Sequence, residues 1–263
     1  MAGEEWARRI LEKELGLVVV VHDDGSENGM YDLRVGPVDA PEIAIECAGA
    51  VDPVFTETWN IGPAKDPLQL QLKGDWTVII EMDAQVKAIK RGIEPLLRKL
   101  EERGVDNAHV DYRLRRYDDA LFDELDALKI IQAICYRQRG TGKVTLGMPG
   151  IGGGVDNTGA SIPEWVGQFL RHPEREDVLR KLQRSKAADC NVFVLVSFGG
   201  APWSVEGYLT GALDQLPSKA PDLPAPVTGI WLVAGLGQRG LCWDGGMWRS
   251  FETRGKGIDD PKV

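Results

Sequence analysis

Apolar residues open the chain at helical spacing: Trp6, Ala7, Ile10, Leu11 and Leu15 fall within half of a helical wheel, which predicts an amphipathic helix over 3–15. On that helix Glu5 and Glu12 point to solvent, whereas Glu14 falls in the middle of the apolar face. The run "LVVVV" (17–21) reads as a strand that ends in the turn-rich "HDDGSENG". Two more strands follow, "MYDLRV" and "EIAIECA", the second apolar until it closes on Glu46. Asp52 then caps a short helix with Pro53 in its first position, and "DWTVIIEM" (75–82) returns to strand.

The middle of the chain reads as helical. Val86, Ile89, Ile93, Leu96, Leu97 and Leu100 predict a helix over 83–103 that stops at Gly104 and is kinked or broken at Pro95. "HVDYRLR" (109–115) alternates as a half-buried strand does, and periodicity predicts a second long helix over roughly 118–137. Beyond it come the strand "VTLGMPG", a glycine-rich loop over 147–159, and a helix in "SIPEWVGQFL" whose Ser161 and Glu164 have capping-box spacing. A charged helix over 174–185 has Val178, Leu179 and Leu182 inward. The C-terminal third is strand-rich, "GLCWDGGMWRSFE" reading as a hairpin and 253–263 as a frayed tail. The mixture, without repeat or long linker, predicts a single α/β fold whose C-terminal β part either extends the sheet or forms a small subdomain.

Composition narrows this picture. With 263 residues, 43% of them hydrophobic, the chain can bury a sizeable core. No run approaches the roughly 18 to 20 apolar residues of a membrane span, and "MAGEEWARRI" lacks the cationic start and apolar centre of a secretory signal, so a cytoplasmic location is expected. Cys47, Cys135, Cys190 and Cys242 are far apart, which favours buried thiols over a zinc site or disulfide framework. The net charge of −9 is uneven: residues 1–86 hold 6 basic and 17 acidic side chains, residues 87–186 hold 19 and 15. Such an excess of acid argues against coating nucleic acid by bulk charge. It leaves room for local contacts from Lys87, Lys90, Arg91, Arg113, Arg115 and Arg116, or from the basic turn Arg137, Arg139 and Lys143.

An acid buried at the end of an apolar strand needs a compensating positive charge, and a metal ion is one way to provide it. "LEKELG", "MYDLRV" and "EIAIECA" set a helical Glu, a strand Asp and a strand Glu in the order found in the PD-(D/E)XK restriction-endonuclease-like nucleases, which this chain resembles over its first quarter to third. The Glu, apolar, small ending is similar to actinobacterial-type hypothetical proteins of that superfamily. The resemblance implies a central mixed sheet flanked by helices, with a nuclease-like α/β core over 1–140 and a β-rich C-terminal extension over 141–263 packed as one unit with it. It implies Mg²⁺ or Mn²⁺ held by Asp32 and Glu46, with Glu14 as a third ligand, and phosphodiester hydrolysis by that site. A hard cation wants oxygen ligands, polarises the scissile phosphate and lowers the pKa of bound water.

The family pattern is incomplete here: Ala48 stands where it expects a Lys, and Tyr31 where it often has Pro. Lys65, Lys73 and Lys90 are candidates to supply the amine from elsewhere, and without one the chain would be a catalytically inactive nuclease-fold binding or regulatory protein. On the residues alone, Asp32 and Glu46 can equally be strand-end acids paired with a neighbour such as Arg34. Expected partners are nucleic acid through local basic patches and, for assembly, a second copy in a homodimer.

Other motifs carry less. "RQRGTGKVT" (137–145) has Arg137 where a phosphate loop needs its first Gly and Val144 where it needs Ser or Thr, and it precedes a strand. Trp203, Trp231, Trp243 and Trp248 read as the filling of a β core before they read as base-stacking platforms. His22, His109 and His172 fall into no nucleophile pattern.

Overall fold

A computed structural model describes residues 2–26, 28–109, 119–149, 155–211, 215–235 and 237–254. The protein is α/β, with two mixed sheets flanked by helices. It divides into two compact units: residues 1–52 with 152–263, and residues 53–151. The division therefore does not fall at 140/141, because the second unit is an insertion between two strands of the first.

In the first unit, helix α1 (Ala2–Leu15) is followed by strands β1 (Val20–Val21), β2 (Leu33–Val35) and β3 (Ile43–Ala50). The second unit supplies helix α2 (Pro53–Ile61), strands β4 (Leu68–Gln69) and β5 (Asp75–Ile80), and helix α3 (Val86–Glu102). Strand β6 (Asn107–His109), helix α4 (Asp119–Ala127) and strands β7 (Ile130–Arg137) and β8 (Lys143–Gly147) complete it. Helices α5 (Ile162–Arg171) and α6 (Glu176–Ser185) return the chain to the first unit, joined by a 3₁₀ turn over Pro173–Arg175. Strand β9 (Asp189–Val196), helix α7 (Trp203–Thr210) and strands β10 (Gly229–Ala234), β11 (Arg239–Trp243) and β12 (Trp248–Glu252) close the chain.

The first unit's sheet has the order β1-β2-β3-β9-β10-β11-β12. Its centre is parallel, β3 with β9 and β9 with β10, while the flanking pairs are antiparallel. The C-terminal strands thus extend the sheet. Alternation along the strands separates two cores. Ile45, Phe193 and Trp231 face Trp6, Ile10 and Leu11 of α1, whereas Ala44, Val192 and Ile230 face Val166 of α5, Leu182 of α6 and Leu209 of α7. Trp231 and Trp248 are core residues, the role their position in a β region implies.

The second unit's sheet has the order β4-β8-β5-β7-β6, with α3 and α4 packed on one face through Ile89, Ile93, Leu97, Leu121 and Leu125. Strand β7 reaches β8 across the start of β5, and the loop that makes this crossing is the basic turn of the sequence. Asp75 holds it: one carboxylate oxygen, Oδ1, accepts the backbone N–H groups of Thr141 at 2.7 Å and Lys143 at 3.1 Å. A Cβ on Gly140 would lie 2.3 Å from that oxygen, so the glycine there is required by close approach. These hydrogen bonds hold the Asp75 carboxyl below its usual range.

Several expectations change. The helix expected over 118–137 ends at Ala127, and the β-branched "IIQAICYR" is strand β7, entered through Lys129 in the left-handed region at φ 54°. Tertiary pairing with β5 and β6 overrides the helical periodicity there. Helix α3 runs through Pro95 without a break. The hydroxyl of Ser161 donates to the Ser204 carbonyl and makes no cap, so the capping box does not form. Helix α7, over Trp203–Thr210, was not expected. Most of "HVDYRLR", with Arg113, Arg115 and Arg116, and the centre of the glycine-rich loop lie outside the described residues. Among the described residues no helix is long and apolar enough to cross a membrane.

Candidate functional site

Glu46 does not end its strand. It is the fourth of eight residues in β3, on the face covered by α6, and its side chain is only 3% exposed. The antiparallel register that pairs Leu33 with Ile45 sets Asp32 across from Glu46. At that point β2 has ended and the chain bends. A continued ladder would bring the Tyr31 carbonyl to the Cys47 N–H; instead Asp32 Oδ2 accepts that N–H at 2.7 Å. The backbone N–H of Asp32 in turn donates to Glu46 Oε2 at 3.2 Å. Two carboxylates are thereby fixed side by side, Glu46 by the N–H of Asp32 and Asp32 by the N–H of Cys47.

The compensating charge comes from α6. Lys181 Nζ lies 2.7 Å from Glu46 Oε1, and its side chain is 18% exposed. Asp177, one turn earlier on the helix, approaches the same ammonium at 3.9 Å. The inward residues Val178 and Leu182 dock α6 on the sheet, and Lys181 stands at the edge of that apolar stripe. Its methylenes can follow the helix surface while its nitrogen reaches the buried acid.

One ammonium does not neutralise two carboxylates, the buried Glu46 and the half-buried Asp32. Burial, together with the hydrogen bond and charge of Asp32, pushes the Glu46 carboxyl up to about 8 against the opposing pull of Lys181. Lys181 is itself held above the ordinary lysine range: burial opposes its charge, but its bond to Glu46 and the charges of Glu46, Asp32 and Asp177 outweigh that cost. Glu46 therefore keeps its proton near neutral pH, in a place where a cation would remove the need for it.

Glu14 does not join the pair. It belongs to α1, on the opposite face of the sheet, where its carboxylate meets Arg249 of β12 at 3.5 Å while that guanidinium lies over the Trp231 ring. The assignment of Glu14 as a third ligand is corrected by this placement. Among the described residues no group of three or more His, Cys, Asp or Glu side chains converges on one point. Arg34 does not pair with either acid; it donates to the Gly36 carbonyl. Of the lysines considered, Lys65, Lys73 and Lys90 belong to the second unit, and Lys90 donates to the Ile61 carbonyl at 2.9 Å. Arg137 approaches Asp75 at 3.8 Å in the crossing loop with Arg139 and Lys143, so that turn has a structural anchor independent of any ligand.

The donor set is chemically suited to a hard cation, since Mg²⁺ is commonly bound through one or two carboxylates with water completing its shell. Both groups present oxygens, and a backbone N–H donates to each. Comparison of the chain with protein-family models, curated proteins and solved structures finds no match.

Proposed function

We propose that Asp32, Glu46 and Lys181 form a divalent-metal site for phosphodiester hydrolysis, a divergent form of the nuclease arrangement that the sequence resembles. One observation carries this reading: an ammonium 2.7 Å from the second acid, supplied by a different element, where the local motif has Ala48. Asp32 and Glu46 would hold Mg²⁺ or Mn²⁺, which when bound supplies the charge that polarises a phosphodiester. Lys181, tethered at Glu46 and partly open to solvent, is placed to orient a water or to stabilise charge growing on a phosphate oxygen. Glu46 would serve as a ligand in its deprotonated form, giving its proton to solvent.

The test is incubation with single-stranded and duplex DNA and RNA in Mg²⁺ or Mn²⁺. Metal-dependent cleavage that disappears in Asp32→Ala, Glu46→Ala and Lys181→Met is the expected result; cleavage undiminished in any of the three removes that residue from the site. A second reading, a nuclease-fold binding protein without catalysis, is favoured by the lack, among the described residues, of a third His, Cys, Asp or Glu converging on the pair. It predicts no cleavage and no rise in melting temperature with millimolar Mg²⁺ or Mn²⁺, because a ligand of the native state alone must stabilise it.

A further inference from the structure

The second unit presents a sheet face that its helices leave uncovered. Trp76, Val78, Ala133 and Leu146 point to α3 and α4, so their neighbours along the strands point the other way. Register aligns those neighbours in two rows, Thr145-Thr77-Ile134-Asn107 and Gly147-Ile79-Gln132-His109. Residues 53–151 carry 15 acidic side chains, yet neither row contains one. In a chain of net charge −9 this is an unusually acid-free surface.

At one end of the face the chemistry changes. Tyr136, the unpaired residue where the β5–β7 register shifts between Cys135 and Arg137, is 55% exposed, an aromatic ring displayed on strand rather than buried. Lys143 is exposed and precedes inward-facing Val144, so it points to the uncovered side. Arg137, the last residue of β7, and Arg139 lie between them, and the loop they lead into is held by the buried carboxylate of Asp75 in β5. An exposed ring followed within seven residues by three cations, at the end of an acid-free face with amide and hydroxyl groups, is the combination that stacks an unpaired base and steadies its phosphates. A duplex hides its bases from such a ring.

We propose that this face of the second unit binds single-stranded nucleic acid, with Tyr136 stacking on a base and Arg139 and Lys143 contacting the backbone. The proposal is independent of catalysis by the Asp32–Glu46 site. It is tested on the full chain in EDTA, so that no cleavage intervenes, by fluorescence anisotropy of a labelled deoxythymidine strand of about 15 nucleotides, a length suited to one stacking groove, and of its duplex. Binding of the single strand in preference to the duplex is expected. Tyr136→Ala should weaken it by roughly 5- to 100-fold, the range for loss of one stacked base. Tyr136→Phe, which keeps the ring, should restore most of the affinity. Arg139→Gln with Lys143→Gln should lower affinity and flatten its dependence on salt. Because the assay is run in EDTA and reads binding alone, its outcome is separate from the fate of the nuclease reading. Absence of binding at low salt, a duplex bound as tightly as the strand, or unchanged affinity in Tyr136→Ala would each overturn the proposal.

Discussion

Replacing Glu46 by Gln should make the protein more stable in alkaline solution while leaving it little changed in acid. The Glu46 carboxyl, ordinarily near 4.5, is raised to about 8 by burial and by Asp32. Below the lower value it is protonated in both folded and unfolded chains, and its ionisation costs nothing. Between the two values the folded chain holds a proton that the unfolded chain has released, so stability falls as pH rises. The slope is about 1.4 kcal/mol per pH unit, and the loss accumulated across the window is roughly 5 kcal/mol. Gln keeps the shape of the protonated acid, can accept from Lys181 and donate to Asp32, and does not ionise. Urea unfolding at pH 5 should therefore separate the two proteins little, and at pH 9 should place the Gln variant ahead by about 5 kcal/mol. A carbon-detected NMR titration of the wild-type Glu46 carboxyl should show its midpoint directly. Saturating Mg²⁺, by taking the place of the proton, should flatten the wild-type slope. A stability difference independent of pH from 5 to 9, or one larger at pH 5, would refute the assignment of Glu46 as the retained proton's seat.

Lys181→Met should move the Glu46 midpoint above its wild-type value in the same NMR titration, because the ammonium pulls that carboxyl down against burial and Asp32. Glu14→Gln should leave any metal-dependent cleavage unchanged and lower stability by less than about 1 kcal/mol, as expected for a partly exposed ion pair with Arg249; loss of cleavage would return Glu14 to the site. Gly140→Ala should destabilise the second unit by about 1–3 kcal/mol, since its Cβ would have to displace the Asp75 carboxylate, and hydrogen exchange should show faster opening of β5, β7 and β8 ahead of β3 and β9. Leu182→Ala, at a fully buried position under α6, should cost about 2–5 kcal/mol in urea unfolding.

How much of this was legible in the sequence depends on whether each feature is local. The amphipathic start, the strand pair around Asp32 and Glu46, α3 and the C-terminal hairpin were readable because their apolar periods fit the elements they form. The long helix over 118–137 misled because "IIQAICYR" has spacing that serves either state, and only its pairing with β5 and β6 decides for strand. Glu14 misled for a related reason. An acid on an apolar helical face must point to the sheet, but a sheet has two faces, and α1 covers the one that Glu46 does not occupy.

Lys181 is the instructive omission. A search for the missing amine that stays near Ala48 in sequence cannot reach it, because it stands 135 residues after Glu46 and on the far side of an inserted unit. Yet one signal was present: within 174–185, Lys181 lies three positions from Val178 and next to Leu182, at the border of the only apolar stripe, where a charge must either reach solvent or find a buried partner. The second half of that inference needed the topology. Strand β9 pairs in parallel with β3, so the chain must cross over between them, and α6 is the last helix of that crossover, laid against β3 itself. Once the parallel pairing is fixed, the helix that returns the chain necessarily passes over the face bearing Glu46, and a lysine at the edge of its stripe is within a side chain's length of that acid. An ammonium from the crossover helix can thus reach an acid in the middle of β3 without any change of fold, because the parallel connection already carries the helix to the same face.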